Sequence, residues 1–417
     1  MTSPAPTAAG PLPPQARLLH IGLPKTGTTA LQSTARARRE DLLELGVRYP
    51  GGGLNHREAV SALMGRRWGW IGPGAAVPPI RHWNRLLREV EQETDRRVWI
   101  SHEFASESDD KTAARFVEAL GGRIHVVVTL RPFGAMLISS WQQYLKGGTS
   151  HTFEHWLRAV LAEPPRRAVT PSFHLRNDQS EVVRRWATAA GKDHVTVVVV
   201  DKAAPTQLTD AFESMLELPA GFLVDSSLGG LQGNRSFSAE EAELMRQVNL
   251  AIKGQAVEWG EYERLLREGG IARLLESRTP GPEEQRLVLP AWAARRATRR
   301  GQRYVSEIAD TGVRVIGDLG ALTEPAVGTD EPQRRPTQVG IDIATQMVVG
   351  TLSAGLGRGA FFAEAPLPPP PRPAPAPAPA LAASPAAQTI KDFRTRELAG
   401  EVVARVRRRV KRTVRPR

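Results

Sequence analysis

Residues 17–31 read RLLHIGLPKTGTTAL, a short apolar run of strand character that breaks into Pro-Lys-Thr-Gly-Thr-Thr and passes straight into a helical pattern. A strand-to-helix turn of this kind is built to hold a phosphate. The first N–H groups of the helix have no intrahelical acceptor, the helix dipole is positive there, and a glycine lets the backbone approach a ligand closely. Lys25 adds a full positive charge, Thr26, Thr28 and Thr29 add hydroxyl donors, and Pro24 and Gly27 shape the turn. Only eight of the 56 basic residues are lysine, so a lysine here is not drawn from a lysine-rich background. The order G-x-x-x-x-G-K-[ST] is absent, because the lysine precedes the glycine, and P-loop kinases are thereby demoted.

A second segment, RIHVVVTL at residues 123–130, is a near-continuous apolar run, the pattern of a parallel strand buried on both faces. Arg131-Pro132 stops it and opens a helix expected from Phe133 to about Lys146. Arg131 then stands at the carboxyl end of a buried strand, the edge where α/β sheets bind ligands. Ser139 follows eight residues later, a little over two helical turns on, with Ser140 as its alternative in a different register. The third segment, VWISHEFASES at 98–108, places His102 and Glu103 just past another strand end, on the same edge. Either is positioned to accept the proton of an attacking hydroxyl.

These three segments resemble the sulfotransferases that use 3′-phosphoadenosine 5′-phosphosulfate, whose bacterial members often read PKTGTT after a strand. The resemblance implies a P-loop NTPase-like α/β fold with a parallel sheet flanked by helices. It implies that Pro24, Lys25, Thr26, Gly27, Thr28 and Thr29 hold the 5′-phosphosulfate, and that Arg131 and Ser139 hold the 3′-phosphate. Family members with Ser-x-Glu or Ser-His-Glu at the third segment favour Glu103 as general base, with His102 as runner-up or helper. Tyr49-Pro50, His56 to Ala59, Trp141 to Lys146, Asn234-Arg235-Ser236 and Gly312 to Leu319 also look like segments of this family, so the similarity spans residues 17–325. Of these, His56, Trp141, Tyr144 and Lys146 are the candidates for the neighbourhood of the pocket.

The implied reaction is in-line transfer of a sulfuryl group to an acceptor hydroxyl or amine, with Lys25 and the loop N–H groups facing the charge that grows on the leaving phosphate. A sulfuryl group bears less charge than a phosphoryl, so no metal is demanded, and there is no HExxH, no Asp-rich calcium loop and no cysteine. The acceptor is expected to be a small molecule, a lipid or a glycan; its identity is not written in these motifs. Two other classes use the same loop: a P-loop-type nucleotide-dependent phosphotransferase, and a non-catalytic nucleotide-binding relative that keeps the phosphate contacts and needs no base.

At 417 residues with 41% hydrophobic content, the chain is long enough for one large α/β core or two domains. The absence of cysteine suits a reducing compartment. The opening MTSPAPTAAGPLPPQ has neither a cationic start nor an apolar stretch of signal-peptide length, and no run approaches a membrane span, so a cytoplasmic protein is expected. Strand-like runs at 18–22, 98–101, 124–130 and 195–200 alternate with helical patterns, arguing for a parallel sheet with helices on both faces. Helices are expected at 204–218, 238–251, 258–276 and 282–309, forming a cover over the sheet edge.

The expected organisation is a disordered N-terminus at 1–16, the α/β domain at 17–325, a linker at 326–387 and a tail at 388–417. Within the linker, 337–356 is weakly amphipathic and broken by glycines, and 365–385 is a Pro/Ala tract that stays extended. The tail carries 11 Lys/Arg against 3 Asp/Glu, a net +8 of the chain's +12. Its Leu398, Val402, Val406, Val410 and Val414 fall at four-residue intervals between arginines. A basic amphipathic helix of this type is expected to make peripheral contact with an anionic membrane, at the inner face for a cytoplasmic protein. Sequence-specific nucleic-acid binding is not expected, since such a cluster neutralises phosphates without reading bases.

Overall fold

A six-stranded parallel sheet forms the centre of the molecule. The computed structural model describes residues 10–67, 75–166, 169–170, 172–201, 203–224 and 235–361. Its strands are β1 (Arg17–His20), β2 (Val47–Arg48), β3 (Arg97–Ser101), β4 (Ile124–Leu130), β5 (Val195–Val199) and an edge strand at Arg314–Ile316, in the order β2-β3-β1-β4-β5-edge. Every pair is parallel, with Leu18 opposite Trp99 and His125. The chain leaves β1 toward β2 and β3, then crosses back to β4 on the other side of β1. The carboxyl ends of β1 and β4 therefore flank the point where the winding reverses, the place at which such sheets open a crevice.

Two apolar cores cover the two faces, and the period-2 alternation of the strands sorts residues between them. Leu19, Ile100, Val126, Val128 and Val197 face the larger core, with Phe116, Leu137 and Trp186 from helices Asp110–Leu120, Phe133–Lys146 and Gln179–Ala190. Leu18, Trp99, Val127 and Val198 face the other, against Leu31 and Ala35 of α1 (Thr28–Ala37) and Phe212 and Met215 of helix Gln207–Leu216. All seven residues of β4 are buried, as its uninterrupted apolar run requires.

The expected α/β class holds, and several boundaries move. Residues 10–16, expected to be disordered, pack onto the body: Leu12 is buried, its N–H donates to the Met215 carbonyl at 2.9 Å, and its carbonyl accepts from Arg97 Nε at 2.9 Å. The helix expected from 282 starts at Ala291. Proline at 290 cannot donate to a helix and holds its predecessor extended, and residues 289–290 pair instead with 328–329. The 337–356 stretch of the expected linker contains a helix, Ile341–Gly355, packed on Glu263–Ile271 and Ala272–Ser277. Gly340 and Gly355 mark its two ends, and Gly350, inside it, is there for close approach and is not a break. A Cβ at Gly350 would lie 2.6 Å from the Gly269 carbonyl oxygen and 2.8 Å from Arg273 Cβ.

Among the described residues no helix is long and apolar enough to cross a membrane. Residues 1–9, Asn234, the Pro/Ala tract and the basic tail lie outside the described residues.

Candidate active site

The loop after β1 carries the distinctive backbone. Lys25 has φ 71°, a left-handed conformation that costs a non-glycine residue about 1–2 kcal/mol, and Gly27 follows with φ 88°. A Cβ at Gly27 would also stand 2.6 Å from Leu208 Cδ2, the mobile end of a side chain, so it is the backbone angle that calls for glycine there. α1 starts at Thr28 with no side-chain cap and no acidic residue in its first turn. The first bonds back to the Gly27 carbonyl come from the N–H groups of Ala30 and Leu31, at 3.1 and 3.3 Å. The N–H groups of Thr28 and Thr29 precede them at the positive end of the dipole, which suits an anion.

The loop is tied to the end of β4 at two points. Thr26 Oγ1 lies 2.5 Å from Thr129 Oγ1, and Arg131 Nη1 donates to the Lys25 carbonyl at 2.7 Å. The arginine thus fixes the residue whose backbone is strained. Gln179 Nε2 holds the strand end by donating to the Arg131 carbonyl at 2.8 Å. One expectation needs correcting: Thr26 does not offer its hydroxyl to a ligand. It is fully buried and donates to the Leu23 carbonyl at 2.6 Å, so its side chain braces the turn.

Glu103 faces this loop. A Cβ on Gly22 would come within 3.4 Å of Glu103 Cβ and 3.0 Å of Thr28 Cγ2. Lys25 is solvent-accessible, yet desolvation by the surrounding protein pulls its ammonium below the usual lysine range, with Glu103 opposing and Arg131 adding to the effect. For Glu103, burial works to raise the pKa but is outweighed by His102, its own backbone N–H, Arg176 and a hydrogen bond from Gln32, so it sits below the usual carboxylate value. Its Oε2 is buried and makes no hydrogen bond among the described residues.

His102 is committed differently. Its Nδ1 accepts from the Phe104 N–H at 3.1 Å, which leaves the ring proton on Nε2, 4.0 Å from Glu103 Oε2. Burial lowers its pKa against the pull of Glu103. A neutral ring in this state has no lone pair left for a substrate proton.

Ser139 is half-buried on the helix that Arg131 opens, and its hydroxyl donates to the Met136 carbonyl at 3.0 Å; Ser140 is buried. His56 lies behind the site rather than in it. Nδ1 accepts from the Ser101 N–H at 3.0 Å and Nε2 donates to the Pro50 carbonyl at 3.0 Å, and burial takes its pKa down to about 4. Trp141 is core, its ring tilted against Phe153 and its Nε1 donating to the His151 carbonyl. Tyr144 accepts a hydrogen bond from Arg176 Nη2 at 3.1 Å. Arg235 grips the fully buried Glu241 through two bonds of 2.7 Å, a brace for the cover helices. Lys146 is the candidate that comes near Lys25, whose charge helps depress it.

Beneath the loop runs a polar network missing from the motif reading. His20 Nδ1 meets Ser101 Oγ at 3.0 Å and its Nε2 meets Thr129 Oγ1 at 3.4 Å. Gln32 Nε2 donates to the same Ser101 hydroxyl at 3.0 Å and its Oε1 accepts from Asn55 Nδ2 at 3.2 Å. Burial holds His20 neutral, with a pKa near 3. The signal was available: three adjacent apolar strands each carry one polar residue near their carboxyl ends. Arg176, which bonds Glu107 at 2.8 Å and helps keep Glu103 ionised, comes from a helix with no motif.

Among the described residues no group of three or more His, Cys, Asp or Glu gathers to hold a metal ion. No family model matches the chain, and no curated protein matches it. Among solved structures the chain is similar to the crystal structure of a sulfotransferase from Alicyclobacillus acidocaldarius. The identity is 16% and the TM-score 0.38, over 60% of this chain and 98% of that one.

Proposed function

We propose that the protein is a sulfotransferase that moves the sulfuryl group of 3′-phosphoadenosine 5′-phosphosulfate to a hydroxyl or amine of a small-molecule, lipid or glycan acceptor. The observation that carries this reading is the bond from Arg131 to the Lys25 carbonyl, which puts two cations from distant segments at one crevice. Two separated anion sites suit an adenosine phosphorylated at both its 3′ and 5′ positions. The uncapped start of α1, with Lys25, takes the 5′ end; Arg131, with Ser139 further along its helix, takes the 3′-phosphate.

The chemistry asked of these residues is electrostatic and positional. An acceptor oxygen forms its bond to sulfur as the bond from sulfur to the 5′-phosphate oxygen breaks, and that oxygen keeps the electron pair. Lys25 and the N–H groups of Thr28 and Thr29 meet this growing charge, an interaction stronger in the transition state than in the ground state. The acceptor's proton passes to Glu103, which is ionised at neutral pH and has an oxygen that makes no hydrogen bond among the described residues. His102 shares the neighbourhood without a free lone pair, and this favours the carboxylate as base.

The test is transfer itself. Full-length protein is incubated with donor carrying radiolabelled sulfur and with lipid, glycan and small-molecule fractions of a cell extract. Label appearing in one fraction, and absent with Glu103→Ala, is the expected result; label in none of them counts against the reading.

A further inference from the structure

One proton fixes the direction of the polar network beneath the donor loop. Thr26 has a single hydroxyl hydrogen, and the Leu23 carbonyl takes it at 2.6 Å. The 2.5 Å contact between Thr26 and Thr129 is therefore donated by Thr129. Thr129 has then spent its own hydrogen, so the 3.4 Å contact with His20 Nε2 carries the ring's proton. His20 is fully buried and neutral, which leaves Nδ1 as an acceptor, and Ser101 donates to it at 3.0 Å. Ser101 Oγ in turn accepts from Gln32 Nε2 at 3.0 Å, and Gln32 Oε1 accepts from Asn55 Nδ2 at 3.2 Å. Every hydrogen in the series is committed in one sense, from Asn55 to Leu23.

The two ends of this series are the two halves of the proposed site. Leu23 and Thr26 bracket Lys25, whose own carbonyl is held by Arg131, so the strained residue is gripped from both sides. At the other end, Ser101 closes β3 two residues before Glu103, and Gln32 comes from α1, the helix that starts at the donor loop. His20 is the middle link. It closes β1, with Ser101 on the neighbouring β3 and Thr129 near the end of β4 on the other side. The Phe212 ring meets it edge-on, 4.8 Å between centroids, and fixes its plane. The His102 N–H adds a backbone tie to the His20 carbonyl at 3.0 Å.

We propose that His20 is a positioning residue for the transfer: a neutral ring, protonated on Nε2, that keeps the donor loop and the segment carrying Glu103 in one register through a single directed series of hydrogen bonds. This deepens the sulfuryl-transfer reading and rests on it. A strand buried on both faces calls for an apolar residue at position 20. The ring stands there because the hydroxyls on the two neighbouring strands need partners of opposite sense, a donor toward Thr129 and an acceptor toward Ser101, and a neutral imidazole presents both from one rigid plane. Loss of the Thr129 hydroxyl removes the acceptor that selects the Nε2 proton. The proton can then move to Nδ1 and face Ser101 Oγ, an oxygen that already receives Gln32, and the series loses its direction.

The experiment uses full-length protein with isotope-labelled nitrogen in its histidine rings, read by long-range proton–nitrogen NMR. His20 is identified as the ring whose signals both Ser101→Ala and Thr129→Val displace. In the wild type it is expected to hold the Nε2–H form without titrating from about pH 5 to 8. An Nδ1–H form, or titration within that range, overturns the proposal. Thr129→Val is expected to raise the Nδ1–H share and Thr129→Ser to keep the wild-type form; one tautomer in all three proteins overturns it. Calorimetry with 3′,5′-adenosine bisphosphate is expected to show binding about three- to tenfold weaker in Thr129→Val and within about twofold of wild type in Thr129→Ser. At saturating donor, label transfer to the extract fraction that accepts it should fall about tenfold in Thr129→Val and recover in Thr129→Ser, a loss that weaker donor binding does not produce. Wild-type affinity or wild-type transfer in Thr129→Val overturns the proposal. Failure of the bisphosphate to bind even the wild type condemns the sulfuryl-transfer reading instead, and the tautomer and its response to Thr129→Val then decide the role of His20 in the network.

Discussion

The guanidinium of Arg131 donates a 2.7 Å hydrogen bond to the carbonyl of Lys25, a residue 106 positions earlier that is held with a left-handed backbone. The end of β4 and the loop after β1 are therefore one unit. The arginine proposed to meet the 3′-phosphate also fixes, in this structure, the strained backbone of the lysine proposed to meet the 5′ end.

Arg131→Ala removes both services at once. Loss of a hydrogen bond to a charged group is worth about 1.5–3 kcal/mol, so 3′,5′-adenosine bisphosphate is expected to bind about 10- to 100-fold more weakly by calorimetry. Arg131→Lys is expected to recover little, because an ammonium cannot reach the carbonyl and a phosphate with a planar fork. Wild-type affinity in the alanine variant sinks the assignment.

Glu103→Gln is expected to keep bisphosphate binding and lose turnover by about 100-fold or more, the usual worth of a general base. His102→Asn keeps a side-chain acceptor for the Phe104 N–H and is expected to stay within about tenfold of wild type. The acid limb of the rate profile should fall below the usual carboxylate range, since the base must be ionised and its pKa is held down. The reverse ranking of the two variants transfers the role to the histidine.

Lys146 makes ligand binding pH-dependent. Its pKa of about 7 means that the ligand-free protein holds it largely neutral above that pH. An anion in the crevice favours the charged form, so binding near pH 7.5 is accompanied by proton uptake, and affinity falls as pH rises beyond about 7. Without ligand the sign is opposite for stability: a lysine depressed in the fold penalises the folded state below its folded pKa, and the penalty is relieved as pH rises from about 7 toward 10.5. Calorimetry in two buffers of different ionisation heat reads the uptake. Lys146→Met should abolish it, and an unchanged uptake in that variant refutes the attribution.

Gly350→Ala inserts a methyl group where backbone lies 2.6 Å away, in the contact between helix Ile341–Gly355 and the π-helical stretch. Overpacking of this kind costs about 1–3 kcal/mol, so the midpoint of urea unfolding should fall while bisphosphate affinity per folded molecule stays the same. An unaltered midpoint shows that the two helices are not held at this distance.

The sheet was legible because parallel strands buried on both faces announce themselves as apolar runs, and β4 and β5 appear almost to the residue. The loop was legible because glycine and lysine in one turn have few other uses. Other features were hidden for physical reasons. Thr26 reads as a donor until Leu23 is seen to take its proton. His56 reads as a pocket residue until both ring nitrogens are found spent on backbone. Gly350 reads as a break because a close helix crossing is a property of two segments, and only one was in view. Arg176 reaches the neighbourhood of Glu103 from a helix whose sequence carries no motif, and only folding brings it there.

The most direct measurement is the relative affinity of 3′,5′-adenosine bisphosphate, adenosine 5′-monophosphate and magnesium-ATP for the full-length protein. Two anion sites gripping the two ends of one adenosine should favour the bisphosphate by about 100-fold over the monophosphate, and over ATP with or without magnesium. ATP binding as tightly as the bisphosphate in the presence of magnesium, or a monophosphate that binds equally well, contradicts a site in which Arg131 and Lys25 act on one ligand.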